Sequence, residues 1–268
     1  MVNIIWENIN KPENPELVII VDISYCNLNS IPEWIGECIN LQEFKCNNNQ
    51  ITKIENLPFN LQNFSCHTNK ITEIDNLPVN LENFYCGGNQ ITVIEKLPVN
   101  LKNFYCSQNE ITKIENLPDN LQNFRCISNK IIKIENLPIN LQYFDCRYNK
   151  ITKIENLPHN LRIFNCSDNE ITKIENVPPN LKYFYCNNNQ ITKILNLPTN
   201  LQEFHCSYNQ ITELPFLLEL NKKLESQQIY IDKQNEKINK QENKLEELNK
   251  KLESQQIYID ILIKKYNI

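Results

Sequence analysis

The sequence predicts an α/β repeat fold, in which a solenoid of stacked short units is followed by one long helix. A Phe-X-Cys-X-X-Asn motif recurs nine times at a strict spacing of twenty residues, from Phe44 to Asn209. A fixed short period is typical of units that bury their apolar faces only by stacking on one another. After Pro215 the chain contains neither Pro nor Gly, which favours a continuous helix.

Each unit is expected to contain one short strand. In the unit 101–120, which we number as positions 1 to 20, Phe104 and Cys106 flank Tyr105. This period of two places Phe and Cys on the buried side and Tyr105 on the solvent side. Stacking then predicts one long parallel sheet with a continuous column of Phe rings in the core.

The end of each unit excludes an outer helix. Almost every unit closes with Leu-Pro-X-Asn, and proline removes a backbone donor and holds the preceding residue extended. Twenty residues with a proline at this point leave no room for a helix. The sequence therefore predicts an extended outer, convex side with tight turns.

The positions of the apolar residues resemble a known repeat. Apolar residues at positions 1, 4 and 6, Asn at 9 and Ile at 11 are similar to the leucine-rich repeat, L-x-x-L-x-L-x-x-N/C-x-L. The short length and the Leu-Pro-X-Asn-Leu junction resemble the class found in bacterial effectors, with Phe and Cys where that class carries leucine and valine. The resemblance implies a concave parallel sheet and a structural ladder of side-chain amides at position 9: Asn49, Asn69, Asn89, Asn109, Asn129, Asn149, Asn169, Asn189 and Asn209.

Three segments follow from these patterns. Residues 1–17, with Ile4, Ile5 and Trp6, are expected to cap the exposed end of the array, because terminal units need a polar or protective cover. Residues 18–220 hold about ten units. The first of these has 23 residues, and its Cys26 falls at the Asn position rather than in the strand. Residues 221–268 are predicted to form a coiled-coil helix.

The tail carries a heptad pattern. NKKLESQQIYID occurs at 221–232 and again at 249–260, an offset of 28 residues that preserves coiled-coil phase. The a positions are apolar, whereas Gln occupies most d positions. Self-association through residues 221–268, a lone solvated helix and pairing with a different protein's helix all remain open. The a positions are Leu217, Leu224, Ile231, Ile238, Leu245, Leu252, Ile259 and Tyr266.

Composition limits the partners. The formal net charge is −5 and no large basic patch is present, which argues against nucleic-acid and anionic-membrane partners. No apolar run approaches the roughly 20 residues of a membrane span, and the first residues lack a signal-peptide pattern. We therefore expect an intracellular, cytoplasmic protein, acting in the host cell if the source is viral. Abundant Asn, Ile and Lys suggest a low-GC genome, such as that of a protist or a large DNA virus.

The cysteines favour packing over chemistry. Nine of the eleven occupy position 6, so we expect them to be reduced core side chains. No Cys-X-X-Cys pair exists, and the three histidines lie far apart in the sequence. The sequence therefore predicts neither a metal site nor a cofactor.

Candidate binding residues lie at the solvent-facing positions of the strand and its turn. The core columns are nearly constant from unit to unit, whereas positions 3, 5, 7 and 8 vary strongly. Tyr and Arg are enriched at protein-binding hot spots, although Tyr also favours strands in general. The candidates are Tyr85, Tyr105, Arg125, Tyr143, Arg147, Tyr148, Tyr183 and Tyr185.

These patterns favour a non-enzymatic interaction protein that binds a protein partner through the concave face and oligomerises through its tail. An alternative is a structural or assembly component without a discrete ligand. Some effectors with similar repeats carry a ubiquitin-ligase domain with a catalytic cysteine. Because no cysteine follows Cys206, that enzymatic alternative is the less favoured one.

Overall fold

The computed structural model describes residues 2–5, 10–212 and 215–266. The chain forms two compact units, Met1–Leu214 and Pro215–Ile268. The first is a solenoid with two parallel sheets, and the second is one α-helix, α1, Pro215–Tyr266. The predicted fold class is confirmed. The helix begins six residues before residue 221, where the sequence pattern placed the start of the coiled coil.

The larger sheet has eleven strands, and every neighbouring pair is parallel. Each strand pairs with its equivalent one unit away, so that Phe144 lies opposite Phe164 and Phe124. Its strands are β1 Val2–Ile5, β2 Val18–Asp22, β3 Glu43–Lys45, β4 Asn63–Ser65, β5 Asn83–Tyr85, β7 Asn103–Tyr105, β9 Asn123–Arg125, β11 Tyr143–Asp145, β13 Ile163–Asn165, β15 Tyr183–Tyr185 and β17 Glu203–His205.

The core is built from columns. The Phe rings from Phe44 to Phe204 stack in sequence with centroids 5.4–5.7 Å apart, which confirms the predicted column. Beside them, eight cysteines from Cys46 to Cys186 are fully buried as free thiols. Several of these thiols donate to the next unit's backbone, as Cys106 Sγ does to Arg125 O at 3.5 Å. Burial raises the pKa of these thiols, because a thiolate would lose its hydration.

The asparagine ladder at position 9 is also confirmed. Asn109 Nδ2 donates to Cys86 O at 3.0 Å and to Cys106 O at 3.1 Å, and its Oδ1 accepts from Ile91 N at 3.0 Å. The same bonds recur at the equivalent residues along the array. One amide thus satisfies buried backbone groups of two adjacent units, which would otherwise have no partner.

The outer side contains a second parallel sheet that the sequence pattern did not predict. Each of its six strands consists of the residues at positions 13 and 14 of one unit, and these pair with the residues at the same positions of the next unit. Lys113 at position 13 pairs with Glu115 of its own unit at 2.5 Å, and the pairs Lys133–Glu135 and Lys153–Glu155 repeat this contact. The strands are β6 Val93–Ile94, β8 Lys113–Ile114, β10 Lys133–Ile134, β12 Lys153–Ile154, β14 Lys173–Ile174 and β16 Lys193–Ile194.

The outer turns explain the Leu-Pro-X-Asn signature. Leu121 N donates to Pro118 O at 3.0 Å, which closes the turn. The last residue of most units, for example Asn120, donates through Nδ2 to a carbonyl of the preceding unit, here Val99 O at 3.0 Å. No α-helix occurs on the outer side of the described units, as predicted. The longer first unit differs, since Glu33–Glu37 forms a 3₁₀ helix there.

The first unit has the predicted phase. Val21 pairs with Phe44 and therefore continues the Phe column, and Val21 and Ile23 are fully buried. Cys26 lies outside the strand, and its backbone N donates to Asn49 Oδ1 at 3.1 Å. Before it, β1 pairs with β2 and extends the sheet by one strand. The expected capping role of the Ile4, Ile5 and Trp6 side chains lies outside the described residues.

Candidate functional site

The solvent-facing side of the eleven-stranded sheet, which we name the sheet face, carries the candidate residues. It is formed by positions 3 and 5 of each strand and positions 7 and 8 of the following turn. Because adjacent strands pair in register, equivalent residues of consecutive units lie side by side. Unlike the core columns, the sheet face has a different side chain at most of these positions.

Four candidates from consecutive units form one aromatic–cationic cluster. The rings of Tyr85 and Tyr105 meet edge to face with centroids 5.1 Å apart. The guanidinium of Arg125 lies 4.9 Å from the Tyr105 ring centroid and 4.6 Å from that of Tyr143. Arg125 is thus held between two tyrosines through cation–π contacts. Burial raises the pKa of Tyr85 and of Tyr143, so both phenols remain neutral at ordinary pH.

Asp145 connects this cluster to Arg147. The Asp145 side chain is only 2% exposed, and its Oδ1 accepts from Arg147 Nε at 3.0 Å and from Arg147 N at 3.3 Å. Its Oδ2 accepts from the Tyr143 hydroxyl at 3.2 Å. The hydrogen bond to Asp145 raises the pKa of Arg147, which stays charged. Asp145 is a buried residue at a position where sequence reasoning expected an outward side chain, and it positions both neighbours.

Position 8 is a third place where aromatic residues occur. The residue there has a left-handed backbone in each unit, with φ of 54° at Tyr148 and 56° at Tyr208. Such a conformation suits Gly or Asn, and it costs a bulky residue roughly 1 kcal/mol. The exposed fractions of these two residues are 55% and 83%. Both units thus hold a solvated aromatic ring on a backbone that other residue types would occupy more easily.

Tyr183 and Tyr185 lie apart from the main cluster. Ile163 and Asn165 of the intervening strand separate them from Tyr143 and Asp145. The Tyr185 hydroxyl donates to Glu203 Oε2 at 2.6 Å, and this bond raises its pKa to about 12. The structure therefore brings Tyr85, Tyr105, Arg125, Tyr143 and Arg147 together and leaves Tyr183 and Tyr185 as a second group.

Sequence reasoning missed a row of amides beside the aromatic cluster. Asn83 Nδ2 donates to Asn63 Oδ1 at 2.5 Å, and Asn123 Nδ2 to Asn103 Oδ1 at 2.6 Å, with Asn103 bonded to Asn83 between them. The signal was present, since position 3 is Asn in four consecutive units. A groove of about 410 Å³ lies at the first end of this row, between Lys45, His67 and Tyr85.

The turn of the 81–100 unit contains two glycines, Gly87 and Gly88, and the geometry of the sheet face accounts for both. Gly88 occupies position 8 with φ 66°, the left-handed conformation of that turn. A Cβ on Gly87 would lie 3.0 Å from His67 Nδ1 and 3.1 Å from Ser107 O. The His67 ring therefore occupies the space that a larger residue would need, and it lies 6.0 Å from the Tyr85 ring.

Two further findings concern other kinds of site. Within residues 10–212 and the rest of the described chain, no group of three or more His, Cys, Asp or Glu could hold a metal ion. None of the described helices has an apolar stretch long enough to cross a membrane.

The columns, the asparagine ladder and the parallel sheet define this chain as a leucine-rich-repeat solenoid, a fold that is typically a non-enzymatic scaffold for protein interactions. No family model matches the sequence, and no curated protein sequence is similar to it. Among solved structures, it is similar to YopM from Yersinia enterocolitica (29% identity, TM-score 0.65, 70% of this chain and 41% of that one). YopM from Yersinia pestis, a leucine-rich effector protein, shares 26% identity (TM-score 0.65, 72% of this chain and 55% of that one).

An internalin, InlF from Listeria monocytogenes, shares the fold at 23% identity and a TM-score of 0.55, over 75% of this chain and 70% of that one. The chain spans about half the length of the two YopM chains that it matches. The two YopM matches confirm that this chain shares the fold of the effector-type repeats.

Proposed function

We propose that this protein is a non-enzymatic interaction module that binds a protein partner through the sheet face and is oligomerised by α1. The observation that carries the proposal is the contact chain from Tyr85 through Tyr105, Arg125 and Tyr143 to Arg147. It crosses four consecutive units on a surface where the repeats differ from each other. Clustered Tyr and Arg side chains with restricted rotamers suit a binding hot spot.

The strained tyrosines of position 8 support the same proposal. Asn and Gly adopt this backbone at the lowest cost and occur there in three units, as Asn48, Gly88 and Asn188, whereas Thr68, Gln108, Ser128 and Asp168 occupy it in four others. Tyr148 instead places an exposed ring beside the cluster at an energetic cost. A protein partner that buries this ring would offset the cost.

We place this binding inside a cell, because the column of free buried thiols suits a reducing compartment. The test is therefore capture from a cytoplasmic extract under reducing conditions, with the full chain as bait. A Tyr105→Ala/Tyr143→Ala variant should bind a specific partner with an affinity about 30-fold lower or weaker still, as expected for two hot-spot residues. The matched control is Lys113→Ala/Lys133→Ala, whose exposed side chains belong to the outer sheet.

The alternative function, a structural component without a discrete ligand, gives a different result in this experiment. Proteins captured equally by the wild type and by both double variants would favour it. A partner lost only from the sheet-face variant favours recognition. If only the outer-sheet variant loses the partner, the binding surface lies on the outer side of the solenoid and our proposal is refuted.

Oligomerisation rests on the seam of α1. Leu224, Ile231, Ile238, Leu245 and Leu252 recur at every seventh residue and are 49–67% exposed in the single chain. We expect the full chain to be a dimer or trimer by light scattering, and Ile238→Lys to convert it to a monomer of 31.7 kDa. The neighbouring Asn239→Lys lies off the seam and should leave the mass unchanged. A monomeric wild type would refute self-association and leave a lone solvated helix and pairing with a different protein's helix as the alternatives.

A further inference from the structure

We infer that Arg125 and Arg147 together form an anion-binding clamp, which receives an acidic or phosphorylated segment of the protein partner. The inference deepens the proposed function and rests on binding through the sheet face. The chain contains three arginines, Arg125, Arg147 and Arg162, and the first two lie in one cluster. In a protein with a net charge of −5, this grouping is a local exception.

Arg125 is positioned but not neutralised. The rings of Tyr105 and Tyr143 lie on both sides of its guanidinium, which fixes its plane. Within the described residues its Nε is buried without a hydrogen-bond partner, and it forms no ion pair with a carboxylate. The terminal nitrogens of Arg125 also have no hydrogen-bond partner within the described residues. Because the Nε is buried, these terminal nitrogens are the donors that an arriving acceptor can reach.

The carboxylate on the paired strand does not serve that role. Asp145 lies directly opposite Arg125 in the paired strands, yet its two oxygens are occupied by Arg147 and by the Tyr143 hydroxyl. Asp145 therefore orients Arg147 through Nε and leaves the terminal nitrogens of that guanidinium for another acceptor. The local charge of the two arginines and one aspartate is positive.

The chemistry of this pair fits an oxyanion. A guanidinium presents a planar fork of donors that matches a carboxylate or a phosphoryl group with two parallel hydrogen bonds. Two guanidinium groups, each held by packing or by a buried carboxylate, lose little side-chain entropy when they bind. Ring contacts from the adjacent tyrosines then surround the anion with the amphipathic area typical of hot spots.

The experiment uses NMR of the full chain, because three arginines give three Nε–Hε cross-peaks. Sodium acetate and sodium phosphate are titrated separately, with sodium chloride at equal ionic strength as the reference. We expect saturable shifts for Arg125 and Arg147, and for Arg162 only the shift that chloride also causes. Arg162 is an exposed arginine one unit further along the array and serves as the internal control.

Arg125→Gln assigns the peak and tests the clamp, and the fold should tolerate it because Lys45 and Ser65 occupy the same position in other units. In this variant the anion concentration that half-saturates the Arg147 shift should rise about tenfold, because one of the two guanidinium groups is missing. Saturation by phosphate at lower concentration than acetate assigns the site to a phosphorylated segment, and the reverse order assigns it to Asp or Glu side chains. Equal, non-saturating shifts at all three arginines would overturn the inference.

The two proposals can fail separately. If anions do not bind, but the Tyr105→Ala/Tyr143→Ala variant still loses its partner, the partner's group is not anionic and the recognition function stands. If that variant keeps its partner, the sheet face is not the recognition surface, whatever the anion titration shows.

Discussion

The stability of the solenoid is expected to collapse between about pH 9 and pH 10 under reducing conditions. Eight thiols, those of Cys46 to Cys186 at position 6, are fully buried, and burial raises the pKa of each above the ordinary value of 9.0. In the unfolded chain these thiols lose their protons near pH 9, whereas in the folded chain they keep them. The unfolded state then binds fewer protons, so the free energy of unfolding decreases as pH rises.

The size of this effect follows from the number of thiols. Each one contributes a slope of about 1.4 kcal/mol per pH unit above its unfolded pKa, and eight contribute about 11 kcal/mol per unit. That loss is comparable with the whole stability of an ordinary domain. At pH 7 and pH 8 the thiols of the unfolded chain are still mostly protonated, so the unfolding midpoint should change little between these two pH values.

Urea unfolding from pH 7 to pH 10, with a phosphine reductant, measures this dependence. The control replaces four thiols of the central units, Cys106, Cys126, Cys146 and Cys166, by alanine. This variant starts from a lower stability, because its core loses volume, but its pH slope should be halved. An unchanged slope would assign the alkaline transition to lysines and tyrosines instead of the thiol column.

Replacing one central ladder residue should also have a large effect. Asn109→Ala leaves Cys86 O, Cys106 O and Ile91 N without the amide that bonds them. Each orphaned buried group costs about 1–3 kcal/mol, so we expect a loss of about 4 kcal/mol in the free energy of unfolding. Urea unfolding at pH 7.5 measures it.

The chain contains its own control for this prediction. Asn209 forms the same bonds at the last unit, with Cys186 O at 2.8 Å and Ile191 N at 3.0 Å, but it is partly exposed. Water can replace its amide, so Asn209→Ala should cost less than half as much as Asn109→Ala. Equal losses at both sites would mean that the ladder acts through side-chain packing rather than through its hydrogen bonds.

The sequence predicted the core because every core position repeats nine times. When units stack, the alternation of Phe104 and Cys106 can only place both side chains in the core, and the Asn at position 9 can only bond the backbone of the adjacent turns. The outer sheet was missed because Lys113–Ile114 is too short to show a period. The left-handed turn at position 8 was missed because its residues vary from Asn48 to Tyr148, and no residue type identifies it.

The candidate site was predicted in part. Alternation showed that Tyr105 and Arg125 face the same side, and the stacking order made them neighbours. The contacts between them depend on rotamers, which a sequence pattern does not contain. Asp145 was expected outward with the other residues of position 5. It is buried because Tyr143 and Arg147 fold over it and use its oxygens.

The identical strand register between neighbouring units has a consequence for how this protein diversifies. Phe164 meets Phe144 and Phe184 in the same alignment that joins Phe64 to Phe44 and Phe84. Recombination that removes or copies a whole twenty-residue block therefore keeps every core column and every ladder bond. What it changes is which exposed side chains become neighbours. A change in the number of blocks can thus create a new binding surface in a single genetic step, while the core contacts stay the same.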